Sequence, residues 1–277
     1  MPTSKLSNNT KSSLLRLVIA SFIGVSIGYF LFTKFETKQT EQNRTVKGTI
    51  CLVIDDFGFA LNSDVQEFLI LNKNITASII PGTLYAESIG KYADSIGVET
   101  IIHMPMESHK DDDTEYAVSL NEKLNAALVE ERVRSAFEEV PTALGMNNHQ
   151  GSKATENLQL MKDLARTLKK MDKFFLDSFT NPESRGYITM RRYGVPTQLR
   201  QVFLDHVENP AEIKFNLDSL VTLSHDMDIA VGIGHVKPMT LEVLAKEIPR
   251  LESEGYRFIR LSQAVRCAAY ILRLPPL

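Results

Sequence analysis

Two adjacent carboxylates, Asp55 and Asp56, close the apolar run Thr49-Ile50-Cys51-Leu52-Val53-Ile54 and stand directly before Phe57-Gly58, where an extended chain can turn. Other apolar runs stop on comparable groups: His103 after Thr100-Ile101-Ile102, His149 after Leu144-Gly145-Met146-Asn147-Asn148, Asp177 after Phe174-Phe175-Leu176, and His235 after Ile233-Gly234. Strand ends loaded with Asp and His point to a metal centre. Two imidazoles and one carboxylate from separate strands are the three-ligand set of a hydrolytic zinc site, with the remaining positions open to water. Successive side chains of a strand point to opposite sides, so both aspartates can serve one site only if the backbone bends there. One carboxylate can then ligate while its neighbour stays free as a base. A helix N-cap followed by a surface acid is the plainer alternative.

His103 opens His-Met-Pro-Met-Glu107, in which Pro105 fixes the chain direction just after the imidazole. His149 lies in the polar, glycine-flanked segment Gly145-Met-Asn-Asn148-His149-Gln-Gly-Ser152, an unusual place for a core histidine. Either one alone could be a hydrogen-bonded core residue. His235 precedes Lys237-Pro238-Met239-Thr240, where a strand ends and a helix begins, a position that suits a general acid. Asp177 and Asp205 are candidates for orienting a histidine through its second N–H, or for capping a helix. His109 with Asp111, Asp112 and Asp113 reads as a solvated loop, and His206 and His225 lack a context that nominates them.

The elements that must position these groups alternate. Strands are expected near residues 49–56, 75–80, 98–103, 142–147, 173–177, 200–205, 229–235 and 257–261. Helical spacing is expected over 62–71, 86–96, 121–139, 158–171, 210–225, 240–254 and from 262 onward. Strands apolar on both faces and alternating with helices imply a parallel sheet covered by helices. About eight such units predict an α/β fold, a closed or nearly closed distorted (β/α) barrel of seven to eight parallel strands, with catalytic side chains at the C-terminal strand ends. An open doubly wound sheet is the alternative, but Gly232-Ile233-Gly234 ends a strand and has no G-x-G-x-x-G pattern.

The 277-residue chain is 43% hydrophobic and 23% charged with a formal net charge of −3, so it has no basic face for nucleic acid. Residues 17–32 are uncharged and apolar and approach the length of a membrane span, with Lys5, Lys11 and Arg16 before them and no cleavage pattern after them. The expected organisation is an n-region over 1–13, a signal anchor over 14–33, a polar linker over 34–47 and a folded domain over 48–277. That order puts the domain on the periplasmic or extracellular side of the cytoplasmic membrane. Cys51 and Cys267 permit a disulfide but fit two buried thiols better.

Taken together, Ile-Asp55-Asp56-Phe-Gly, Ile-Ile-Pro81-Gly82, His103-Met-Pro-Met-Glu107, Asn147-Asn148-His149-Gln-Gly-Ser152, Phe-Leu-Asp177-Ser178, Arg200-Gln-Val-Phe-Leu-Asp205 and Gly-His235 resemble the divergent polysaccharide deacetylase family, from about residue 48 to 264. The resemblance implies a NodB-homology distorted barrel and hydrolysis of an acetyl group on a glycan by metal-activated water. It implies Asp55 as base, Asp56, His103 and His149 as ligands of a divalent metal with zinc first, and His235 as the acid that protonates the leaving group. Asn148, Glu107, Asp177 and Asp205 would support the site or the substrate. One departure is plain: better-characterised relatives draw both histidines from one His-x-x-x-His segment, whereas Glu107 stands at the fourth position after His103 and the second histidine is His149. No Arg-x-Pro-Tyr segment is present either. Two other functions remain open at this level: a non-catalytic glycan-binding or envelope-scaffold protein on the same fold, and an inverting glycosidase using Asp55 and Asp177.

Overall fold

A computed structural model describes residues 46–110 and 118–271, without side chains for 267–271. The expected anchor and most of the linker lie outside these residues, as does the side chain of Cys267. Among the described residues no helix is long and apolar enough to cross a membrane.

The chain runs β1 (Gly48–Phe57), α1 (Ser63–Leu71), β2 (Thr76–Ile79), α2 (Ala86–Ser95), β3 (Glu99–Met106), α3 (Ala126–Glu139), β4 (Gly145–Gln150) and α4 (Leu158–Lys170). It continues β5 (Phe174–Asp177), α5 (Gly186–Tyr193), β6 (Thr197–Leu199), β7 (Val202–Phe203), α6 (Pro210–Asp226), β8 (Ala230–His235), α7 (Pro238–Glu254), β9 (Tyr256–Ile259) and α8 (Leu261–Ile271). All pairings are parallel, in the order β6-β5-β4-β3-β2-β1-β8-β7, with β9 beside the first half of β1. The sheet curls into a half-barrel. Its two outer members, β6 and β7, are separated in the chain only by Arg200 and Gln201.

The period of two along the strands sorts side chains between two cores. Ile50, Leu52 and Ile54 join Ile102, Met104 and Met146 in the large cluster under the helices. Cys51 and Val53 join Ile101, Leu176, Val231 and Ile233 in a second cluster within the curl, which Leu261, Ala264 and Val265 of α8 help to fill. Continuing the second set toward the C-terminal strand ends gives Asp55, His103, Asn147, His149 and His235. The site is the polar top of an otherwise apolar interior.

Four boundaries differ from the sequence expectation, each for a local reason. The expected 142–147 strand is shifted to Gly145–Gln150, where Gly145 leaves room for the Phe174 ring, which an added Cβ would meet at 2.2 Å. The helix expected from 121 starts at Ala126, because Asn125 caps it by accepting the Leu128 N–H. The glycine- and proline-marked loop before residue 200 contains α5, ended by Gly194 in the left-handed region at φ 69°, and the short strand β6. The 200–205 strand contracts to Val202–Phe203.

Candidate metal centre

The bend required by the aspartate pair is present. Asp56 has φ 67°, a left-handed conformation uncommon for a residue other than glycine, and the pairing of β1 with β2 shifts register between Ile54 and Phe57. Gly58 follows at φ 133°. Asp55 keeps its inward position opposite His235 of β8, while the irregular turn swings Asp56 toward the same space.

Three donor atoms from three strands converge there. Asp56 Oδ1 lies 3.2 Å from His103 Nε2 and 3.2 Å from His149 Nδ1, and the two nitrogens are 3.1 Å apart. Asp55, 1% exposed, places Oδ2 3.6 Å from His103 Nε2. Behind this triangle stands Asn147, the register neighbour of His103. Its Oδ1 accepts from the Ser78 hydroxyl at 2.7 Å and meets His103 Nδ1 at 2.8 Å. Its Nδ2 donates to both oxygens of Asp55 at 2.9 and 3.1 Å and to Ser178 Oγ at 3.2 Å. This network fixes the tautomer of His103: Nδ1 carries the proton, and Nε2 turns its lone pair to the triangle.

On the other side of Asp55, His235 is held by Asp205. The fully buried Asp205 receives His235 Nδ1–H at 2.7 Å, the His235 backbone N–H at 2.8 Å and the Thr240 hydroxyl at 2.6 Å. The imidazole stacks on Phe203 with centroids 5.3 Å apart and planes 10° from parallel, and the guanidinium of Arg200 lies over the same Phe203 ring, 4.1 Å from its centroid. Arg200 also donates to the Ser178 and Phe179 carbonyls at 2.5 and 2.7 Å.

The comparisons decide the family. The profile of the divergent polysaccharide deacetylases matches residues 52–265. An uncharacterized Haemophilus influenzae protein is 32% identical over 241 residues, covering 87% of this chain and 82% of that one. The chain belongs to the divergent polysaccharide deacetylase family. The uncharacterized protein YibQ of Escherichia coli is 31% identical over 204 residues, 74% of this chain, and the match spans 63% of YibQ's own length. Among solved structures, an uncharacterized Agrobacterium tumefaciens protein superposes with a TM-score of 0.75 at 16% identity, over 80% of this chain and 91% of that one. A mutant, with restored enzymatic activity, of a CE4-family pseudoenzyme from Bacillus anthracis gives a TM-score of 0.50 at 12% identity, over 79% of this chain and 68% of that one. At these identities the two structures speak to the fold alone.

The donor set of Asp56, His103 and His149 fits a divalent ion. A tetrahedral site with bonds of about 2.0–2.1 Å separates its ligand atoms by about 3.3 Å, close to the 3.1–3.2 Å measured between Asp56, His103 and His149. Asp56 Oδ1 is buried and accepts no well-aligned hydrogen bond, although two imidazole nitrogens lie at hydrogen-bond length. Three donor atoms gathered this closely, one of them a buried carboxylate oxygen that accepts no aligned hydrogen bond, are arranged for a shared cation.

Electrostatics agree. Burial pushes Asp56 up, but the adjacent His103 and His149 and the charge of His235 outweigh it and hold the carboxyl well below its usual range. Burial lowers His103, yet Asp55, Asp56 and Asn147 raise it above its ordinary value. His235 is likewise lowered by burial and raised further by Asp205, Asp55 and Asp56, ending above its ordinary value. Arg200 is pushed down to about 10 by burial, partly offset by Asp177 and Asp55.

The remaining candidates serve the scaffold around the site. Asp177, 1% exposed, accepts the Phe179 N–H at 2.9 Å, the Ser184 hydroxyl at 2.8 Å and the Tyr187 N–H at 2.8 Å, which makes it the cap of α5. Asn148 ties β4 to β5, donating to the Gln150 carbonyl at 2.7 Å and accepting the Ser178 N–H at 2.9 Å. The Glu107 carboxylate is taken up by Lys153 and by the Glu122 N–H at 3.0 Å; burial pushes it up, but Lys153 holds it below its usual range. His109 pairs with Glu156 at 3.0 Å on the surface. Sequence reasoning did not nominate Asn147, Ser78, Ser178, Phe203 or Arg200. Asn147 had one available signal: it lies two residues before His149, hence on the same face of the strand.

Proposed function

We infer that the protein is a metal-dependent hydrolase that removes acetyl groups from a polysaccharide or related glycan. The observation that carries this reading is the convergence of Asp56, His103 and His149 beside a buried Asp55 and an aspartate-backed His235. A divalent ion, with zinc first for this mixed nitrogen and oxygen set, would be held by Asp56 Oδ1, His103 Nε2 and His149 Nδ1. When bound it supplies Lewis-acid polarisation of the acetyl carbonyl and acidifies water.

The protein's own side chains do the rest. Asp55 is presented to the site as an acceptor because Asn147 donates to both its oxygens, and it takes the proton of the attacking water. His235 has committed Nδ1 to Asp205, so Nε2 is the nitrogen that gives a proton to the leaving amine or alkoxide. Burial lowers its proton affinity, but Asp205, Asp55 and Asp56 raise it above the ordinary value, which favours the charged ring that this step needs. The engagement of Asp177 in capping α5 counts against pairing it with Asp55 as a glycosidase. Anchoring by residues 14–33 would hold the domain outside the cytoplasmic membrane, a reading supported by the apolar run over 17–32.

The test is metal content of the purified protein together with acetate release from peptidoglycan-type and chitin-type oligomers. The expected result is about one divalent ion per chain and acetate release that a chelator abolishes. Stoichiometric metal with no acetate from any acetylated glycan sinks the hydrolase reading in favour of a glycan-binding or scaffold protein.

A further inference from the structure

A cleft of about 440 Å³ opens beside the site, with one wall running from the end of β1 into α1, including Asp56, Phe59 and Asp64, and the other formed by His235, Lys237 and Pro238. Lys237 stands where helix chemistry disfavours it. Helices α1, α3, α4 and α6 each begin on an asparagine whose side chain accepts a first-turn N–H. Helix α7 begins instead on Lys237, whose side chain caps nothing, and a cation at a helix N-terminus opposes the helix dipole. Among the described residues its Nζ has one polar contact, the Asp205 carbonyl oxygen at 3.3 Å, and no carboxylate partner.

The carboxylates of the cleft are accounted for in a way that this ammonium is not. Asp56 lies between two imidazoles, and Asp64 accepts the Ser63 hydroxyl at 3.2 Å in the first turn of α1, where negative charge is favoured. Lys237 is half-buried on a wall of the reaction cleft without a counter-charge. It follows His235 by two residues, and its backbone N–H closes a tight turn onto the His235 carbonyl at 2.8 Å. A ligand group that pairs with it therefore lies on the reacting sugar or the next one.

We propose that Lys237 is a specificity-determining residue that selects acetylated glycans bearing a carboxylate on or next to the acetylated sugar. Phe59, 56% exposed on the other wall, offers an aromatic face to that sugar. The proposal rests on the deacetylase reading of the same cleft.

The test compares two matched probes: oligomers of alternating N-acetylglucosamine and N-acetylmuramic acid with the lactyl carboxylate free, and the same oligomers with it converted to a primary amide. Acetate release and equilibrium binding are measured separately. Wild type is expected to favour the acid over the amide by about fivefold in kcat/KM and in affinity. Lys237→Met brings both ratios to about one, Lys237→Arg retains most of the preference, and Phe59→Ala weakens acid and amide alike. A ratio of one in wild type, a preference that survives in Lys237→Met, or no binding of either oligomer overturns the proposal. Preferential binding lost in Lys237→Met, but with no acetate from either probe, keeps carboxylate recognition and removes the deacetylase reading. Acetate release at equal rates from both probes does the reverse.

Discussion

Asn147 makes the sharpest quantitative prediction, because one amide holds a metal-ligating imidazole and the proposed base in register. Asn147→Leu keeps the volume and removes every polar contact. His103 Nδ1–H loses its acceptor at 2.8 Å, and Asp55 loses a donor that reached both its oxygens at 2.9 and 3.1 Å. Hydrogen bonds to charged groups contribute about 1.5–3 kcal/mol each. The Ser78 and Ser178 hydroxyls can rotate toward the orphaned groups, which favours the low end, about 3–4 kcal/mol in all. At a urea slope of about 2–3 kcal/mol/M the midpoint should fall by about 1–2 M. With His103 no longer oriented from behind, zinc affinity should fall about 10–100-fold. Asn147→Asp separates the two roles: it keeps an acceptor for His103 but sets a second carboxylate against Asp55, so one of the two must hold a proton. That variant should bind metal better than Asn147→Leu and still lose turnover. Urea denaturation and competitive zinc titration of both variants provide the assay. Unchanged midpoint and zinc affinity in Asn147→Leu would refute the account of Asn147 as the hub of the site.

Asp56→Asn and His149→Ala should each lose bound metal, whereas Asp55→Asn should keep it and lose acetate release; equal metal content in all three contradicts the assignment. The Asp205–His235 pair should stabilise the fold within a defined pH window. Asp205 is held below its ordinary value of 3.8, so its contribution is present above that pH and fades as pH falls through the lowered value; His235 is raised above 6.5, so its contribution is complete below that pH and is lost as pH rises through the raised one. Urea midpoints of metal-free wild type and Asp205→Asn should therefore differ most between pH 3.8 and 6.5, with the gap narrowing at higher pH as the His235 part is lost, and a pH-independent gap would reject the linkage. Gly58→Ala forces a side chain onto φ 133° with its Cβ 2.1 Å from Thr83 Oγ1, so it should destabilise by about 1–3 kcal/mol and weaken metal binding through displacement of Asp56. Calorimetry with metal analysis checks this, and full metal occupancy in that variant counts against the turn as the feature that aims Asp56.

The fold class was legible because the signal that carries it, alternation of short apolar strands with amphipathic helices, repeats along the whole domain. The bend between Asp55 and Asp56 was legible too, since two neighbouring strand residues cannot otherwise share a face. Elements that depend on tertiary partners were not: α5 follows a loop punctuated by Pro182 and opens on Gly186, and its start is capped by Asp177 from the preceding strand. Asp177 itself looks the same in sequence whether it orients a histidine or caps a helix; only the direction of its two oxygens separates the roles. Asn147 and Asn148 are adjacent and chemically identical, so only their spacing from His149 along the strand distinguishes the one that faces the site. The alternation of the strand assigns Asn147 to the imidazole and leaves Asn148 to join β4 to β5.

The short link between β6 and β7 has a mechanical meaning. Arg200 is tied to the β5 side through the Ser178 and Phe179 carbonyls, while Leu204 is tied to β8 through the Ile233 carbonyl and Asp205 through the His235 N–H. Residues 200–205 thus act as a caliper of fixed covalent length, with one jaw on the chain just after β5, the neighbour of the strand that carries His149, and the other on His235, the proposed proton donor. Side-chain substitutions can soften either grip, but only a change in the number of residues along this stretch can reset the opening between the jaws. Loop-length variation here would retune the spacing between proton donor and metal ligands without altering any residue that performs the chemistry.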